Sequence, residues 1–151
     1  VIREANVKNG FRAIIALLLL HSISAFAAES FWPTAQEWAE IRAVIQRQLD
    51  AFQQDDEAGA YSHAAPSVKQ RFPTPEAFSK MVRDKYSPIY NPREVKFLTP
   101  SIVNARILQG IQFLSDENQL LLAVFTLEKQ QDKSWKIKAC DLVPIESKVA
   151  T

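Results

Sequence analysis

The chain has 151 residues, of which 47% are hydrophobic, with 18 Lys and Arg against 17 Asp and Glu, and with one Cys. This composition excludes a collagen-like chain, a disordered tail and a disulfide-stapled miniprotein. The length suits one ordinary domain and leaves little room for a second.

The N-terminal segment has the order of features typical of a secretory signal peptide. Residues 1–12 carry three basic side chains against one acid, and an apolar run follows over residues 13–20. Ala25 and Ala27 then place small residues at the positions that signal peptidase requires. An uncleaved membrane anchor is the less favoured alternative, because polar residues interrupt the run well short of the roughly 20 apolar residues that cross a bilayer. We therefore expect export to the periplasm or the extracellular space, with no stable membrane span after cleavage.

The predicted cleavage divides the chain into four regions. We expect a signal peptide over 1–27, an N-terminal extension over 28–35, a single domain over 36–147 and a C-terminal tail over 148–151. Loss of the signal peptide removes three basic residues and one acid, which leaves 15 basic against 16 acidic residues and a formal charge of −1. Such a near-neutral domain lacks the basic surface of a nucleic-acid-binding protein.

Capping signals and apolar spacing predict three helices in the first part of the domain. Thr34 and Glu37 form a capping box before a long amphipathic segment that should end near Gln53. The acidic run at 55–57 supplies the N-terminus of a short second helix, which Pro66 should end. A third helix is predicted to begin at Pro75, with Thr74 as its N-cap, and to end at Pro88, because Pro fits the first position of a helix but not its interior.

From Arg93 onward the apolar period changes to two, which is typical of strands. Besides a short segment around 95–97, three longer runs cover 103–114, 119–129 and 134–144. Short polar loops between them predict an antiparallel meander of about four strands. Gly110 lies inside a run and indicates a bend or bulge, so we expect a curved sheet. The predicted fold class is α+β, with the N-terminal helices packed in the concave face of this sheet.

Large aromatic residues fall on the apolar stripe or strand face of each predicted element. We expect them to belong to one core cluster. They are Trp38, Phe52, Phe78, Phe125 and Trp135.

Several motifs, in order along the chain, resemble a known family. They are Val44-Ile45-x-x-Gln48-Leu49-x-Ala51-Phe52-x-x-Asp55-Asp56, Ala65-Pro66-Ser67, Phe72-x-Thr74-Pro75-Glu76-x-Phe78, Met81-Val82-x-x-x-Tyr86-x-Pro88-x-Tyr90-x-Pro92 and Trp135-Lys136-Ile137-x-x-Cys140-x-Leu142. Together they resemble the bacterial exported family called domain of unknown function 4864, within the nuclear-transport-factor-2-like fold group. The resemblance implies a cone-shaped fold in which the sheet wraps the first helix, and it implies no activity. The family usually has Gly before its late Cys, where this chain has Ala139, which puts in doubt any bulge that needs a Gly.

The sequence offers little for nucleophilic, metal or cofactor chemistry. After the predicted signal peptide His63 is the only imidazole, so it is the only His base available to Cys140 or to a Ser. One His and one Cys so far apart form no zinc cluster, the run at 55–57 lacks the spacing of a calcium loop, and no Gly-rich loop is present to hold phosphate. We therefore predict no metal, no cofactor and no catalytic residue, with Cys140 as a small core or interface residue.

A cone-shaped fold can hold a pocket between its helices and its sheet. The candidate pocket residues are Tyr86, Tyr90, Gln109, Gln112 and Asp141. Simple alternation along the last strand places Asp141 on the same face as Trp135, where it could be partly desolvated and act as a proton donor or acceptor. A bulge or the strand end would instead turn it toward water, and this second interpretation is the favoured one.

Two classes of function are compatible with the sequence. The favoured one is a non-enzymatic exported module that binds a small apolar ligand or a protein partner, with a homodimer through the sheet face as one form of the latter. The alternative is a small cone-fold enzyme, an isomerase, dehydratase or hydrolase, that uses an acidic residue or a Tyr in the pocket. A deep pocket with two converging polar groups would favour the enzyme.

Export gives the first testable prediction. N-terminal sequencing of the protein recovered from the extracytoplasmic fraction should begin at Ala28, because the small residues at positions 25 and 27 define the cleavage site. A membrane-bound product that retains residues 1–27 would contradict it.

Overall fold

The computed structural model describes residues 32–115 and 119–145, so the predicted signal peptide and the C-terminal tail lie outside the described residues. Within these residues, five helices precede five strands. The helices are α1 (Ala35–Gln53), α2 (Glu57–Ser62), α3 (Pro66–Arg71), α4 (Pro75–Lys85) and α5 (Ser87–Tyr90). The strands are β1 (Glu94–Phe97), β2 (Ser101–Val103), β3 (Arg106–Leu114), β4 (Leu120–Lys129) and β5 (Trp135–Pro144). The predicted α+β class, with helices packed on an antiparallel sheet, is confirmed.

The predicted helix starts are confirmed by their capping hydrogen bonds. At α1 the amide of Glu37 donates to Thr34 Oγ1 at 3.2 Å, and the amide of Thr34 donates to Glu37 Oε2 at 2.8 Å. Asp56 caps α2 by accepting from the amide of Gly59 at 2.9 Å. Thr74 caps α4 in the same way.

The prediction of only three helices is wrong. Pro66 begins α3 rather than ending a segment, and it occupies one of the first two positions of that helix. Pro88 lies within the short helix α5. Both prolines lie in the first turn of a helix, where the missing N–H of Pro breaks no hydrogen bond. A Pro in the sequence can therefore mark the start of a helix as well as the end of one.

The sheet has the order β1-β3-β4-β5, and β2 also pairs with β3. The run predicted as one strand over 103–114 is a hairpin, because Asn104 and Ala105 have φ angles of 49° and 61° and turn the chain between β2 and β3. Positive φ at both central residues is the geometry that joins antiparallel strands through a two-residue loop.

The irregularity in the sheet lies in β5 and not at Gly110. Thr126 pairs with Ala139 and Leu127 pairs with Ile137, so Lys138 is an extra residue in a β-bulge. Gly110 pairs in regular register with Val124. Its small size serves packing, since a Cβ at this position would lie 3.3 Å from Leu98 Cδ1.

The long helix α1 covers the inner face of the sheet, as predicted. Its apolar stripe, including Ile41, Ile45 and Leu49, belongs to one buried cluster with Phe125 and Trp135. The predicted single aromatic cluster is nevertheless wrong, because a second cluster forms between α1, α2 and α4. It contains Phe52, Ala60, Phe78 and Val82 among its buried members.

The link between α2 and α3 covers part of the edge of the sheet at β5. The amide of Ile137 donates to the carbonyl of His63 at 2.9 Å, and the amide of Ala65 donates to the carbonyl of Ile137 at 2.8 Å. This bridge holds β5 one residue before the bulge at Lys138.

The outer face of the sheet carries apolar side chains. Leu120 and Val143 are 42% and 41% exposed, and half-buried residues such as Leu108, Leu122 and Val124 lie on the same face. A homodimer through this face stays a prediction. Among the described residues, no helix is both long and apolar enough to cross a membrane.

Trp135 provides a test of the first cluster. The Trp135→Ala variant should lose about 3 to 5 kcal/mol of unfolding free energy, because a large side chain that is 5% exposed leaves a cavity. Its indole N–H has no hydrogen-bond partner among the described residues, so Trp135→Phe, which removes that donor, should cost much less. Denaturant titration measures both, and a loss below about 1 kcal/mol for the Ala variant would place Trp135 outside the core.

Candidate functional site

A pocket of about 240 Å³ opens where α1, α3 and α4 face β5. It lies just past the bridge at Ile137, where the link between α2 and α3 leaves the edge of the sheet. Its apolar wall consists of Phe52, Ala64, Val68, Phe72, Phe78, Met81, Val82, Ile89, Phe125 and Ile137. This wall joins both core clusters, so the pocket is the space left between them.

Packing and hydrogen bonds hold the wall in place. The rings of Phe52 and Phe78 lie 6.0 Å apart, and those of Tyr61 and Phe78 lie 5.8 Å apart. Tyr61 Oη donates to the carbonyl of Phe72 at 2.8 Å, which ties the end of α3 to α2. Gln48 is buried on α1, where its Nε2 donates to the carbonyl of Ala60 at 3.0 Å.

Charged side chains surround the apolar part of the pocket. Arg71 at the end of α3, Lys85 at the end of α4, and Lys138 and Asp141 on β5 all line it, and all four are exposed. Lys138 is paired with Glu128 at 3.1 Å. The pocket therefore combines an apolar interior with a mouth that carries more positive than negative charge.

Two weakly acidic groups also line the pocket, Tyr86 and Cys140. Burial raises the pKa of the Tyr86 phenol, with smaller contributions from Cys140 and Asp141, while Arg71 lowers it. Burial, followed by the nearby Asp141, raises the pKa of the Cys140 thiol to about 12. Both groups are therefore protonated at neutral pH, and Cys140 is not an activated nucleophile.

The structure brings two of the five predicted pocket residues to this site, Tyr86 and Asp141. Tyr90 does not line it, since its hydroxyl donates to Asp55 Oδ1 at 2.9 Å and accepts from Arg83 at 2.7 Å on the surface. Gln109 and Gln112, both on β3, do not line the pocket either.

Gln109 and Gln112 have opposite parity on β3, so they face opposite sides of the sheet. Gln109 is fully buried, where its Nε2 donates to the carbonyls of Leu98 and Gly110, both at 2.8 Å. Gln112 is half-buried opposite Lys96 and Leu122, which places it on the outer face.

The direction that simple alternation predicts for Asp141 is wrong. The extra residue at Lys138 shifts the parity of β5, so Ile137 and Cys140 face inward while Ala139 and Asp141 are exposed. Asp141 therefore lies at the pocket mouth in contact with water, as the bulge interpretation expects. It is not a carboxylate desolvated beside Trp135.

Sequence reasoning misses the residues that α3 contributes, because it interprets Pro66 as the end of a segment. Val68 and Arg71 both line the pocket from this helix. The signal is present, since Pro at the first position and basic residues in the last turn are typical of a short helix. Lys85 is also missed, although it follows the buried stripe of α4 directly.

His63 and the other depressions do not add a catalytic site. His63 is half-buried at the end of α2, where burial, followed by Arg47, Lys136 and Lys69, lowers the pKa of its imidazole. It does not line the pocket. Two further depressions, of about 460 and 530 Å³, are lined mostly by polar and charged residues. Among the described residues, no three His, Cys, Asp or Glu side chains cluster as metal ligands do.

A family model described as a domain of unknown function, DUF4864, matches residues 34–150. The chain belongs to this family. The match includes every described helix and strand, and therefore every element that lines the pocket. The DUF4864 description names no activity, so a function for this chain has to be argued from its site.

Among solved structures, the protein Aln2 from a Streptomyces species is similar at 12% sequence identity with a TM-score of 0.47. The alignment covers 74% of this chain and 93% of Aln2. No curated protein sequence matches the chain significantly.

The protonated state of Cys140 is testable by alkylation. At pH 8 iodoacetamide should modify the native protein at least about a hundredfold more slowly than the urea-unfolded protein, because a thiol with a raised pKa holds very little thiolate. Mass spectrometry over time measures both rates. Comparable rates in the two states would mean that Cys140 is an accessible, reactive thiol.

Proposed function

We propose that this DUF4864 protein is an exported, non-enzymatic module that binds a small apolar ligand in the pocket between α3, α4 and β5. The observation that carries the proposal is the apolar wall, which is continuous with both core clusters yet encloses about 240 Å³ of space. A concave, mainly apolar recess with a few polar groups at its mouth is the usual form of a small-molecule site.

The size of the pocket limits the ligand. If each non-hydrogen atom takes about 30 Å³, the volume that a water molecule occupies in the liquid, the pocket holds about eight non-hydrogen atoms. This is below the range of about 300 to 1,000 Å³ that holds drug-sized ligands. Burial of about six methylene groups contributes about 5 kcal/mol, so we expect micromolar to millimolar dissociation constants.

The polar groups at the pocket favour binding over catalysis. An acid–base mechanism needs a group that changes its protonation state near neutral pH within reach of the substrate. Tyr86 and Cys140 are held protonated by burial, and the exposed Asp141 lies among cations at the mouth. The alternative, an isomerase, dehydratase or hydrolase, would have to use Asp141, an exposed carboxylate at the mouth, as its acid or base.

Export rests on the N-terminal segment, and association with a protein partner or a second copy rests on the apolar outer face. The two features are compatible with the pocket, because Leu120, Leu122 and Val143 lie on the side of the sheet away from α1. Ligand binding does not depend on either.

A pocket-filling variant tests the proposal. The probe is 1-octanol, followed by amide chemical shifts in two-dimensional NMR. We expect shifts at the pocket residues of β5 and α4, and Val68→Phe should weaken binding by about tenfold or more, because the added ring occupies the cavity.

The matched control is Val103→Phe, which makes the same change at a site that is 45% exposed and far from the pocket wall in the sheet. It should leave the affinity for octanol unchanged. Thermal unfolding confirms that both variants are folded. Octanol shifts confined to the outer face, or unchanged affinity in a folded Val68→Phe variant, would overturn the proposal.

A further inference from the structure

We infer that the ligand is an amphiphile with an anionic head, such as a medium-chain carboxylate, whose chain enters the pocket while Arg71, Lys85 and Tyr86 hold the head at its mouth. This inference rests on the proposed function and adds the chemical class of the ligand. It depends on the polar groups of the mouth rather than on the apolar wall.

Arg71 and Lys85 at the mouth have no carboxylate within 4 Å among the described residues, unlike the other two cations of α4. On α4, Lys80 pairs with Asp84 at 2.6 Å, and Arg83 donates to Glu57 at 2.8 Å. Lys85 on the same helix and Arg71 on α3 have no such partner in the part of the chain described, although Arg71 also lies 5.7 Å from the Phe72 ring. Three cations of α3 and α4 have no carboxylate partner in the described part of the chain. Two of them line the pocket, and the third, Lys69, lies 4.9 Å from the Tyr61 ring outside it.

The Tyr86 hydroxyl adds a neutral donor to these cations. It lines the pocket and makes no hydrogen bond with any described residue. By contrast, Tyr61 donates to the carbonyl of Phe72, and Tyr90 donates to Asp55. A half-buried phenol that stays protonated is suited to donate to a carboxylate oxygen, and Arg71 is close enough to influence its ionisation.

Charge balance at the mouth supports an anion over a cation or a neutral head. Lys138 is neutralised by Glu128 at 3.1 Å. Asp141, which pairs with Val124 of the outer face and so lies at the rim of the pocket, is the one remaining carboxylate among the described lining residues, against Arg71 and Lys85. The remaining excess is one positive charge in a domain with a nearly balanced composition. The negative charge of Asp141 at the mouth should weaken the binding of an anionic head, so removing this charge should strengthen that binding.

Three probes of equal chain length separate the head from the chain: octanoate, 1-octanol and octylammonium. At pH 7.5 and low salt, calorimetry or NMR titration should give octanoate a dissociation constant about threefold to tenfold lower than that of octanol. Octylammonium should bind more weakly than both. Added salt should reduce the affinity for octanoate and leave that for octanol unchanged, because only the charged head is screened.

Charge variants locate the head group. Arg71→Gln and Lys85→Gln should each weaken the binding of octanoate about threefold to tenfold and change the affinity for octanol by less than about twofold. Tyr86→Phe should weaken the binding of octanoate by a smaller factor. Asp141→Asn should tighten octanoate. The matched control is Lys80→Gln, which removes the same charge from the same helix outside the pocket and should change neither affinity.

The outcomes separate this inference from the proposed function. In one contrary outcome octanol binds in the pocket while octanoate binds no tighter, and in another Arg71→Gln and Lys85→Gln leave the ratio of the octanoate and octanol affinities unchanged. Either result would show that the inference of an anionic head is wrong, while the proposed apolar ligand would stand. Tighter binding of octylammonium would likewise overturn the anionic head. If no probe binds in the pocket, the proposed function itself fails.

Discussion

The site depends on one extra residue in the last strand. Without the bulge at Lys138, alternation from Ile137 would turn Ala139 and Asp141 inward and Cys140 outward. The bulge instead directs a protonated thiol toward the pocket and leaves the carboxylate in water, where its charge needs no buried partner. The bridge from Ala64 holds β5 immediately before this point, so the strand is fixed where its parity changes.

The pocket follows from the way in which α1 divides the interior. One stripe of the helix packs on the sheet with Phe125, whereas Phe52 near its end packs with Phe78 on α4. The bridge fixes the chain to β5 at Ala64, and α3 begins two residues later at Pro66, so α3 lies beside β5 without burying any of its side chains fully. The space between the two clusters is apolar at its walls, and its charged residues lie at the ends of α3 and α4 and on β5.

The sequence predicts the parts of this structure that local chemistry decides. The capping signals and stripes of α1 and α4 are local, and they predict both helices to within a few residues. The sequence names a bulge only as one of two ways to turn Asp141 toward water and does not locate it, because Ala139 stands where a Gly would have signalled it, and bulges of this type need no positive φ. The pocket members on α3 depend on how Pro66 is interpreted, and Gln109 is misplaced because only the tertiary structure reveals the carbonyls that its amide binds.

The way into the pocket follows from how its walls are held. Helices α1 and α4 each bury several side chains, whereas α3 buries none fully and is tied at its end by the hydrogen bond from Tyr61. Local opening costs least where the fewest apolar contacts are broken, so α3 is the wall most easily displaced. Because α3 carries Arg71, an anion bound to Arg71 at the mouth would hold this helix against β5.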